Sequence, residues 1–379
     1  MMTSPVKKPH IMFLFSDTGG GHRSASEAII EALNLEFPER YTWEMVDFFK
    51  DYAPFPLNYS GETYPTFSSW KLLWKASYSY ADNKQRMKGI YDVAWPVVRK
   101  GAHRLVAEHP CDLILSVHPL INLPVLRCKP HQIPMVAVIT DLVTTPVAWY
   151  QPALDNLVVP TVPAYERGLK LGMRPDQMAI IGLPVADKFC HPVADRMALR
   201  ESLGWSKDCT IVLIIGGGDG MGPLAPNAFA IDDLGTDLEV VVVAGRNHKL
   251  KTRLEAHNWK HPHHIYGFVR QLPDFMQASD IMVSKAGPGT ISEAFIAGLP
   301  VILYSMVPGQ EEGNVTYVTD NGAGVWAPKP ALVAETVLKW VQHSEERQKF
   351  IDISKNLARP DASRQIARLI GDKVGLRQD

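Results

Sequence analysis

Short apolar runs that stop at a polar residue recur through the first half of the chain. The runs His10–Ser16, Leu113–Val117, Met135–Thr140 and Asn156–Val159 are bounded by proline, histidine or aspartate, as buried parallel strands often are. The first run leads through three glycines into Ser24–Leu35, where the apolar positions have helical spacing. This succession of strand, glycine turn and helix predicts a doubly wound α/β domain.

A second α/β region follows residues 184–200, where the sequence becomes polar. A new strand is predicted at Thr210–Ile215, directly before another glycine-rich turn. Further apolar runs alternate with helical or loop sequence, which is typical of βαβ units. These later strands are predicted at Glu239–Ala244, Ile281–Ser284 and Pro300–Tyr304.

The organisation predicted is therefore two α/β domains of ordinary size. A chain of 379 residues exceeds what one hydrophobic core usually organises, which agrees with that division. We assign residues 1–190 to an N-terminal domain and residues 191–360 to a C-terminal domain. Residues 361–379 are expected to hold a last helix, Asp361–Val374, that packs back on the first domain.

Composition limits the class of partner. The chain is 46% apolar and 21% charged, and its formal net charge of -1 gives no overall attraction to nucleic acid or anionic lipid. The four cysteines are scattered without a Cys-x-x-Cys pair, which favours a reducing cytosol and disfavours a zinc site. No apolar run approaches the roughly 20 residues that span a bilayer. We expect a cytoplasmic protein whose charged partners bind at local patches.

The segment Lys285–Asn314 holds the strongest candidate site. After a predicted strand, Gly287 and Gly289 leave a turn without side chains, and a helix is predicted from about Thr290. The N–H groups and dipole of a helix start favour a diphosphate. Glu293, one turn inside, is placed to accept two ribose hydroxyls. Taken alone, this turn fits a structural helix cap at least as well.

Beyond the next predicted strand lies a polar loop, Val307–Asn314. Because ligands of open α/β sheets bind beyond the carboxyl ends of the strands, Gln310, Glu311 and Asn314 are expected beside the same pocket. Taken singly, each fits a solvated loop residue equally well. Three further loops should reach this edge: Gly216–Pro223, Gly245–Asn247 and Gly267–Arg270.

In the first domain, His22 stands at the start of the helix that follows Asp17–Gly21. Its imidazole is a candidate general base, because an ordinary pKa near about 6.5 suits removal of a proton from an alcohol. A helix cap or a hydrogen bond to a neighbour is the alternative role. The three consecutive glycines lack the Gly-x-Gly-x-x-Gly spacing and no Gly-Lys-Ser/Thr is present, so a dinucleotide-binding dehydrogenase or a Walker-type site is disfavoured.

Other polar residues also end strands on the same predicted face. His118 and Asp141 could position the acceptor or the base, or could simply be satisfied strand-end residues. His261, His263 and His264 cluster without acidic or cysteine partners at ligand spacing, so we predict no metal site there.

Residues 41–100 are rich in aromatic side chains interleaved with lysine and arginine. Trp70, Trp74 and Tyr78 share one helical face at i, i+4 and i+8, which indicates an amphipathic helix at a membrane surface. The alternative is that these rings form the core of the domain.

These motifs together resemble the monogalactosyldiacylglycerol synthases and the related processive diacylglycerol glucosyltransferases. That group is itself related to the peptidoglycan lipid-intermediate N-acetylglucosaminyltransferase. Plant-type members have a His-Pro pair where this chain reads Thr145-Pro146. The matching segments are Ser16–Ala25, Thr140–Leu142, Gly216–Pro223, Gly245–Asn247, Gly267–Val269, Lys285–Thr290, Pro308–Glu311 and Gly313–Asn314.

The resemblance implies a GT-B fold with an acceptor domain and a UDP-sugar domain that face each other across a cleft. It implies an inverting hexosyltransferase, a peripheral membrane enzyme that moves a hexose from UDP-galactose or UDP-glucose to 1,2-diacylglycerol, with galactose favoured by the Gly-Gln-Glu pattern. No cofactor or divalent cation is expected, because the helix start stabilises the leaving group.

The resemblance also distributes roles among the site residues. Glu293 would hold the ribose, Gly289 and Thr290 the diphosphate, and Gln310 and Glu311 the sugar hydroxyls, while His22 would lie by the attacking alcohol. From its place in the sequence, Asp141 is a second catalytic candidate. His118, Trp70 and Trp74 are expected to serve the acceptor or the membrane. The expected donor-binding residues are Gly21, Gly218, Arg246, Asn247, Phe268, Val269, Gly287, Pro288, Gly289, Thr290, Glu293, Gly309, Gln310, Glu311 and Asn314.

Three other functions fit the sequence less well. A transferase acting on a sterol, a carotenoid or another aglycone would use the same donor site. A non-catalytic sensor of UDP-hexose would need no base, which the joint presence of His22, Glu293 and Gln310 disfavours. A nucleotide-sugar epimerase is disfavoured because Tyr80 and Lys84 are not accompanied by a dinucleotide fingerprint.

Overall fold

The computed structural model describes residues 7–18, 21–63 and 70–376, with the backbone alone for Lys71. The chain divides into two compact units. The first consists of Met1–Asp187, Pro308–Gln310 and Asp361–Asp379, and the second of Lys188–Val307 and Glu311–Pro360. Gly19, Gly20 and the part of the aromatic-rich region at 64–69 lie outside the described residues.

The first unit is built on a parallel sheet of six strands in the order β2-β1-β3-β4-β5-β6. Its central strands are fully buried and apolar, as expected when helices cover both faces. The strands are β1 His10–Phe15, β2 Thr42–Asp47, β3 Leu113–Ser116, β4 Met135–Val138, β5 Asn156–Val159 and β6 Met178–Ile180.

Helices accompany the strands of this first unit, and residues 60–63 are helical as well. The helix α1 follows β1 and buries Ala25, Ile29 and Leu33, which are four residues apart and therefore share one face. The helices are α1 Gly21–Glu36, α2 Phe48–Tyr52, α3 Lys71–Ala81, α4 Lys84–Glu108, α5 Pro119–Leu126, α6 Val162–Lys170 and α15 Ala362–Lys373.

Helix α15 packs on α1, although the whole second unit separates them in sequence. Ile366 and Ile370 join Ile29 and Leu33 in one apolar cluster on a face of the first sheet. Arg368 Nε donates to Glu36 Oε2 over 2.8 Å at the edge of this contact. The last helix is thus an integral layer of the first unit.

The second unit repeats the architecture, with six parallel strands in the order β12-β11-β10-β7-β8-β9. The strands are β7 Thr210–Ile215, β8 Leu238–Val243, β9 His263–Tyr266, β10 Ile281–Lys285, β11 Val301–Ser305 and β12 Gly324–Trp326. The helices are α7 Arg196–Leu203, α8 Leu224–Asp232, α9 His248–Glu255, α10 Leu272–Ala278, α11 Pro288–Ala297, α12 Glu312–Asp320, α13 Pro330–Gln342 and α14 Ser344–Leu357.

The prediction of two doubly wound α/β units is confirmed by these sheets. Four strands were not predicted: β2, β6, β9 and β12. They are the four outermost strands of the two sheets. An edge strand has one hydrogen-bonding side and less burial, so it needs no continuous apolar run.

Candidate functional site

The carboxyl ends of the parallel strands in the second unit bring four glycine-rich turns together. Gly217, Gly220 and Gly222 have positive φ, with values of 71°, 58° and 86°, so the loop after β7 takes a path that other residues rarely adopt. The backbone N–H of Arg246 donates to the carbonyl of Gly218 over 2.9 Å. The loop after β7 and the turn after β8 are therefore joined directly.

Close approach explains the glycine that begins the turn after β8. A Cβ on Gly245 would overlap the carbonyl oxygen of Gly218. Asn247 caps helix α9 by accepting from the N–H of Leu250 over 3.0 Å, and its side-chain amide donates to the Gly220 carbonyl over 3.4 Å. The predicted donor residues Gly218, Arg246 and Asn247 thus form one connected structure.

The turn after β9 adds an aromatic ring to this edge. The guanidinium carbon of Arg246 lies 4.8 Å from the ring centroid of Phe268, and Nη1 of Arg246 donates to Asp219 Oδ1 over 3.1 Å. Phe268 is 57% exposed, which leaves ring surface accessible to a ligand. Val269 beside it is half-buried. A flat base can stack on such a ring.

The turn after β10 starts helix α11, as predicted. Gly287 is the N-cap residue and Pro288 occupies the first turn. The first backbone N–H groups of an α-helix have no partner within the helix, so those of Gly289 and Thr290 are the donors that an anion would meet. Gly289 is exposed, and a Cβ there would meet nothing within 4 Å.

Glu293 lies in the second turn of α11 and is half-buried. Burial raises the pKa of its carboxyl to about 8, and the positive charge of Lys188 partly opposes that rise. Near neutral pH the carboxyl is therefore mainly protonated.

Glu311 and Asn314, which we expected to read the hexose, have partners inside the second unit. Glu311 is 4% exposed; it accepts from Lys285 Nζ and from the backbone N–H of Val307, each over 2.7 Å. The side-chain amide of Asn314 donates to the carbonyl of Ala286 over 2.9 Å. These contacts hold the start of α12 against the end of β10. The assignment of both residues to the donor site stays a prediction.

Gly309 and Gln310 group with the first unit. Gly309 has a φ of 83°, and a Cβ there would lie 3.3 Å from the ring of Tyr78. The Gln310 amide donates to Asp141 Oδ1 over 3.4 Å. Asp141, buried after β4, also accepts from the indole N–H of Trp149 over 2.8 Å.

His22 is the second residue of α1, directly after Gly21, and its ring is partly buried. Its Nδ1 lies 2.6 Å from the carbonyl oxygen of Val117 and 3.0 Å from Oγ1 of Thr140. A carbonyl oxygen only accepts, so Nδ1 carries the ring proton and Nε2 keeps the lone pair that a general base needs.

The pKa of His22 is lowered by burial to about 4, against a smaller opposite effect of the hydrogen bond to Val117. The ring is therefore neutral at physiological pH. His118 lies beside it, with Nε2 at 3.2 Å from Thr18 Oγ1 and its ring edge-on to Phe49. His118 thus belongs to the surroundings of the base.

The three aromatic residues predicted to face a membrane, Trp70, Trp74 and Tyr78, differ in exposure. Trp70 precedes the first residue of α3 and is exposed, whereas Trp74 and Tyr78 are half-buried. The hydroxyl of Tyr78 donates to the carbonyl of Thr144 over 2.9 Å. Trp74 and Tyr78 therefore turn partly toward the rest of the first unit, and the membrane role of the stripe stays a prediction.

Lys285 has a place in the site that the sequence did not reveal. Its ammonium lies between the glycine turns that follow β7 and β10, and pairs with Glu311 over 2.7 Å. A lysine directly before a glycine turn was the available signal. Val117 was also missed, because it acts through its backbone oxygen and no side-chain motif marks it.

The predicted absence of a metal site concerned three histidines of the second unit. His261 Nε2 donates to the carbonyl of Thr236 over 2.8 Å, and His264 pairs with Glu239 over 2.8 Å. Over the residues described, no three His, Cys, Asp or Glu side chains are grouped so as to hold a metal ion. In that same part of the chain, no helix has both the length and the apolar character to cross a membrane.

Comparison with solved structures defines the class of protein. The chain aligns with MurG of Acinetobacter baumannii at a TM-score of 0.63 and 13% identity, over 96% of this chain and 99% of that one. WaaG, a glycosyltransferase involved in lipopolysaccharide biosynthesis, aligns at a TM-score of 0.57 and 14% identity, over 95% of this chain and 99% of that one. The fold is that of the GT-B glycosyltransferases.

Sequence comparison identifies the family within that class. A model described as monogalactosyldiacylglycerol (MGDG) synthase matches residues 22–185, and one described as the glycosyltransferase family 28 C-terminal domain matches residues 211–366. Monogalactosyldiacylglycerol synthase 2, chloroplastic, of Arabidopsis thaliana is 36% identical over 96% of this chain and 80% of the relative. The spinach synthase is 34% identical over 99% of this chain and 75% of the relative. The chain belongs to the monogalactosyldiacylglycerol synthase family.

Proposed function

We propose that this protein transfers galactose from UDP-galactose to the free hydroxyl of 1,2-diacylglycerol, with inversion at the anomeric carbon. The observation that carries the proposal is the identity to monogalactosyldiacylglycerol synthases, which extends over nearly the whole chain and both units. The names of those relatives state the sugar and the lipid. The arrangement of this chain's own residues supports the chemistry.

His22 supplies the base in this proposal. Nε2 of the neutral imidazole takes the proton from the acceptor hydroxyl while the alcohol oxygen forms its bond to the anomeric carbon. The bond from that carbon to the diphosphate oxygen breaks, and UDP leaves with the electron pair. The Val117 carbonyl, 2.6 Å from Nδ1, keeps the ring oriented and supports the positive charge that develops on it.

The donor occupies the turns of the second unit. The N–H groups of Gly289 and Thr290 receive the diphosphate, Glu293 accepts the ribose hydroxyls, and the exposed ring of Phe268 stacks on the base. Solved structures of the same fold include Anabaena HepE in complex with UDP and glucose, at a TM-score of 0.55 and 13% identity over 96% of this chain and 100% of that one. The likeness supports the fold, and the donor contacts are inferred from this chain's residues.

Because the acceptor is a lipid, the enzyme associates peripherally with a membrane, and the scattered cysteines favour the cytoplasmic side. The support is an open apolar groove lined by side chains of α3, α4 and the segment before them. Its residues Val93, Val97 and Ile90 are exposed on one face of α4, and Arg86 stands at its rim. An exposed apolar stripe with adjoining cations is typical of an interfacial surface.

The test is a matrix of donors against acceptors with purified protein. Diacylglycerol in mixed phospholipid vesicles is incubated with radiolabelled UDP-galactose, UDP-glucose or UDP-N-acetylglucosamine, and the lipid product is separated and its anomer assigned by NMR. We expect β-galactosyldiacylglycerol from UDP-galactose. Product from UDP-glucose alone would overturn the choice of sugar, and product only with a sterol or another aglycone would overturn the choice of acceptor.

The variant His22→Ala tests the role of the base. We expect turnover to fall by about 10²- to 10⁴-fold, the usual contribution of general base catalysis, with the affinity for UDP unchanged. His131→Ala, at an exposed histidine of the same unit, is the matched control. Turnover by His22→Ala within a few-fold of the wild type would exclude His22 as the base.

A further inference from the structure

We propose that Lys285 binds the diphosphate of the donor and neutralises the charge that develops on the leaving group, with Glu311 as its positioning residue. The proposal rests on the proposed function in one respect, namely that the donor is a nucleoside diphosphate sugar. It adds a cation that acts together with the N–H groups at the start of α11.

The position of Lys285 follows from the sheet. It is the last residue of β10, so its side chain leaves the strand at the edge where the glycine turns meet. A Cβ on Gly287 would lie 3.3 Å from its Nζ, and a Cβ on Gly217 would lie 3.4 Å from its Cε. The lysine therefore passes between two turns that lack side chains, where a phosphate can approach both the ammonium and the backbone N–H groups.

Glu311 holds the ammonium in this position. One carboxylate oxygen accepts from Lys285 over 2.7 Å, and the other accepts from the backbone N–H of Val307 over 2.7 Å. With both oxygens engaged and 4% of the residue exposed, the carboxylate cannot follow the lysine elsewhere. An ammonium has three N–H donors and the carboxylate takes one, so the lysine can also donate to phosphate oxygens.

Charge gives this cation a specific task. Breaking the bond to the sugar adds a negative charge to the diphosphate, and a fixed cation stabilises the transition state more than the ground state. The side chain of Lys285 is 20% exposed, so it is partly shielded from water yet reachable by a ligand. Partial burial strengthens such an interaction over that at an open surface.

The alternative is that the ion pair only fastens α12 to the end of β10. If the ion pair is only structural, its removal would lower stability and would weaken the binding of every ligand of the turns alike. A phosphate-binding lysine would discriminate among ligands by their phosphates. The two roles therefore predict different patterns of affinity for UDP and for uridine.

The experiment measures the binding of UDP and uridine by isothermal titration to the wild type and to Lys285→Met. We expect the affinity for UDP to fall at least tenfold and the affinity for uridine to stay within twofold. Lys285→Arg should recover part of the UDP affinity, since it restores the charge. Lys339→Met, which removes an ion pair of the same 2.7 Å length elsewhere in the second unit, should change neither affinity.

Two results would overturn the role of Lys285. One is an unchanged affinity of Lys285→Met for UDP, and the other is an equal loss of affinity for UDP and uridine. A wild-type protein that binds UDP but makes no galactolipid would instead count against the proposed function, because UDP binding is measured without any acceptor. Thermal unfolding of each variant identifies a loss that comes from misfolding.

Discussion

The ring centroids of His22 and His118 lie 4.6 Å apart, with the planes tilted by 56°. Two imidazolium charges at this separation would repel each other, and His118 is buried while His22 is partly buried. Burial, with a further effect of the His22 charge, lowers the pKa of His118 well below its usual range. The pair is thus a neutral unit at physiological pH, in which the proton of His22 is directed at Val117.

The pH dependence of turnover should reflect this pair. Because the pKa of His22 is about 4, the base stays neutral, and kcat at saturating UDP-galactose should be constant from pH 8 down to about pH 5. It should then fall as the ring takes up a proton near pH 4. Initial rates across this range, with the protein checked for folding by circular dichroism, measure the profile. A fall centred near 6.5 would mean that the ring behaves as an ordinary solvated histidine.

The affinity for UDP should rise with pH above neutrality. If only the carboxylate of Glu293 binds ribose, a pKa of about 8 means that the binding form grows as pH increases from 7 to 8.5. The dissociation constant should then fall by about eightfold over this interval. Glu293→Gln should bind UDP more weakly and without this slope. If the UDP affinity of Glu293→Gln changed with pH as steeply as that of the wild type, the titrating group would be another residue.

Linkage gives the same carboxyl an effect on stability. Its folded pKa of about 8 exceeds the ordinary 4.5, so the folded protein binds more protons between these values. This contribution to the free energy of unfolding is complete below pH 4.5 and is lost as pH rises through 8. In Glu293→Gln the free energy of unfolding should not show this fall between pH 4.5 and 8. Urea denaturation at several pH values measures it.

The contact between α15 and α1 can be tested by a pair of glycine substitutions. A Cβ on Gly371 would overlap the buried ring of Phe37, so Gly371→Ala should lower the free energy of unfolding by about 1–3 kcal/mol. Gly89, inside α4, has nothing within 4 Å of such a Cβ. Gly89→Ala should therefore raise the free energy of unfolding by about 0.5–1 kcal/mol, because alanine has the higher helix propensity. Urea midpoints measure both, and equal effects would contradict this packing.

Membrane binding should depend on the exposed face of α4. Val97 is 54% exposed beside the apolar groove, and Val162 is 55% exposed at the start of α6. Val97→Asp should reduce co-flotation with anionic vesicles several-fold, because a carboxylate does not enter the headgroup region readily. Val162→Asp should leave flotation unchanged. Equal flotation of the two variants would remove this groove as the membrane surface.

Continuous apolar runs predicted the inner strands of both sheets, because a strand covered on both faces must be apolar at nearly every position. The outer strands were not predicted, because they are short or carry polar residues and form no continuous apolar run. β9 reads His-His-Ile-Tyr, and β6 and β12 are only three residues long. β2 lay unrecognised within the aromatic-rich region, where Trp43 and Glu44 obscure its alternation.

The glycine turns of the second unit were predictable because backbone sterics limit those positions to glycine. Contacts between residues distant in the sequence were not predictable. Lys285 meets Glu311 only through the pairing of β10 with β11, and Val117 meets His22 only through the pairing of β1 with β3. For α3, helical spacing identified which aromatic residues share a face but did not fix the direction of that face.

Helix α15 also sets the order in which the two units can mature during protein synthesis. Ile29 and Leu33 of α1 leave the ribosome long before Ile366 and Ile370, which complete their cluster. At about 5–20 residues per second the gap is on the order of 20–70 s, and during it the apolar face of α1 lacks these partners. The second unit, whose segments are almost continuous in the chain, completes its core first. We therefore expect the second unit to complete its fold before the first unit, although the first unit begins earlier in the chain.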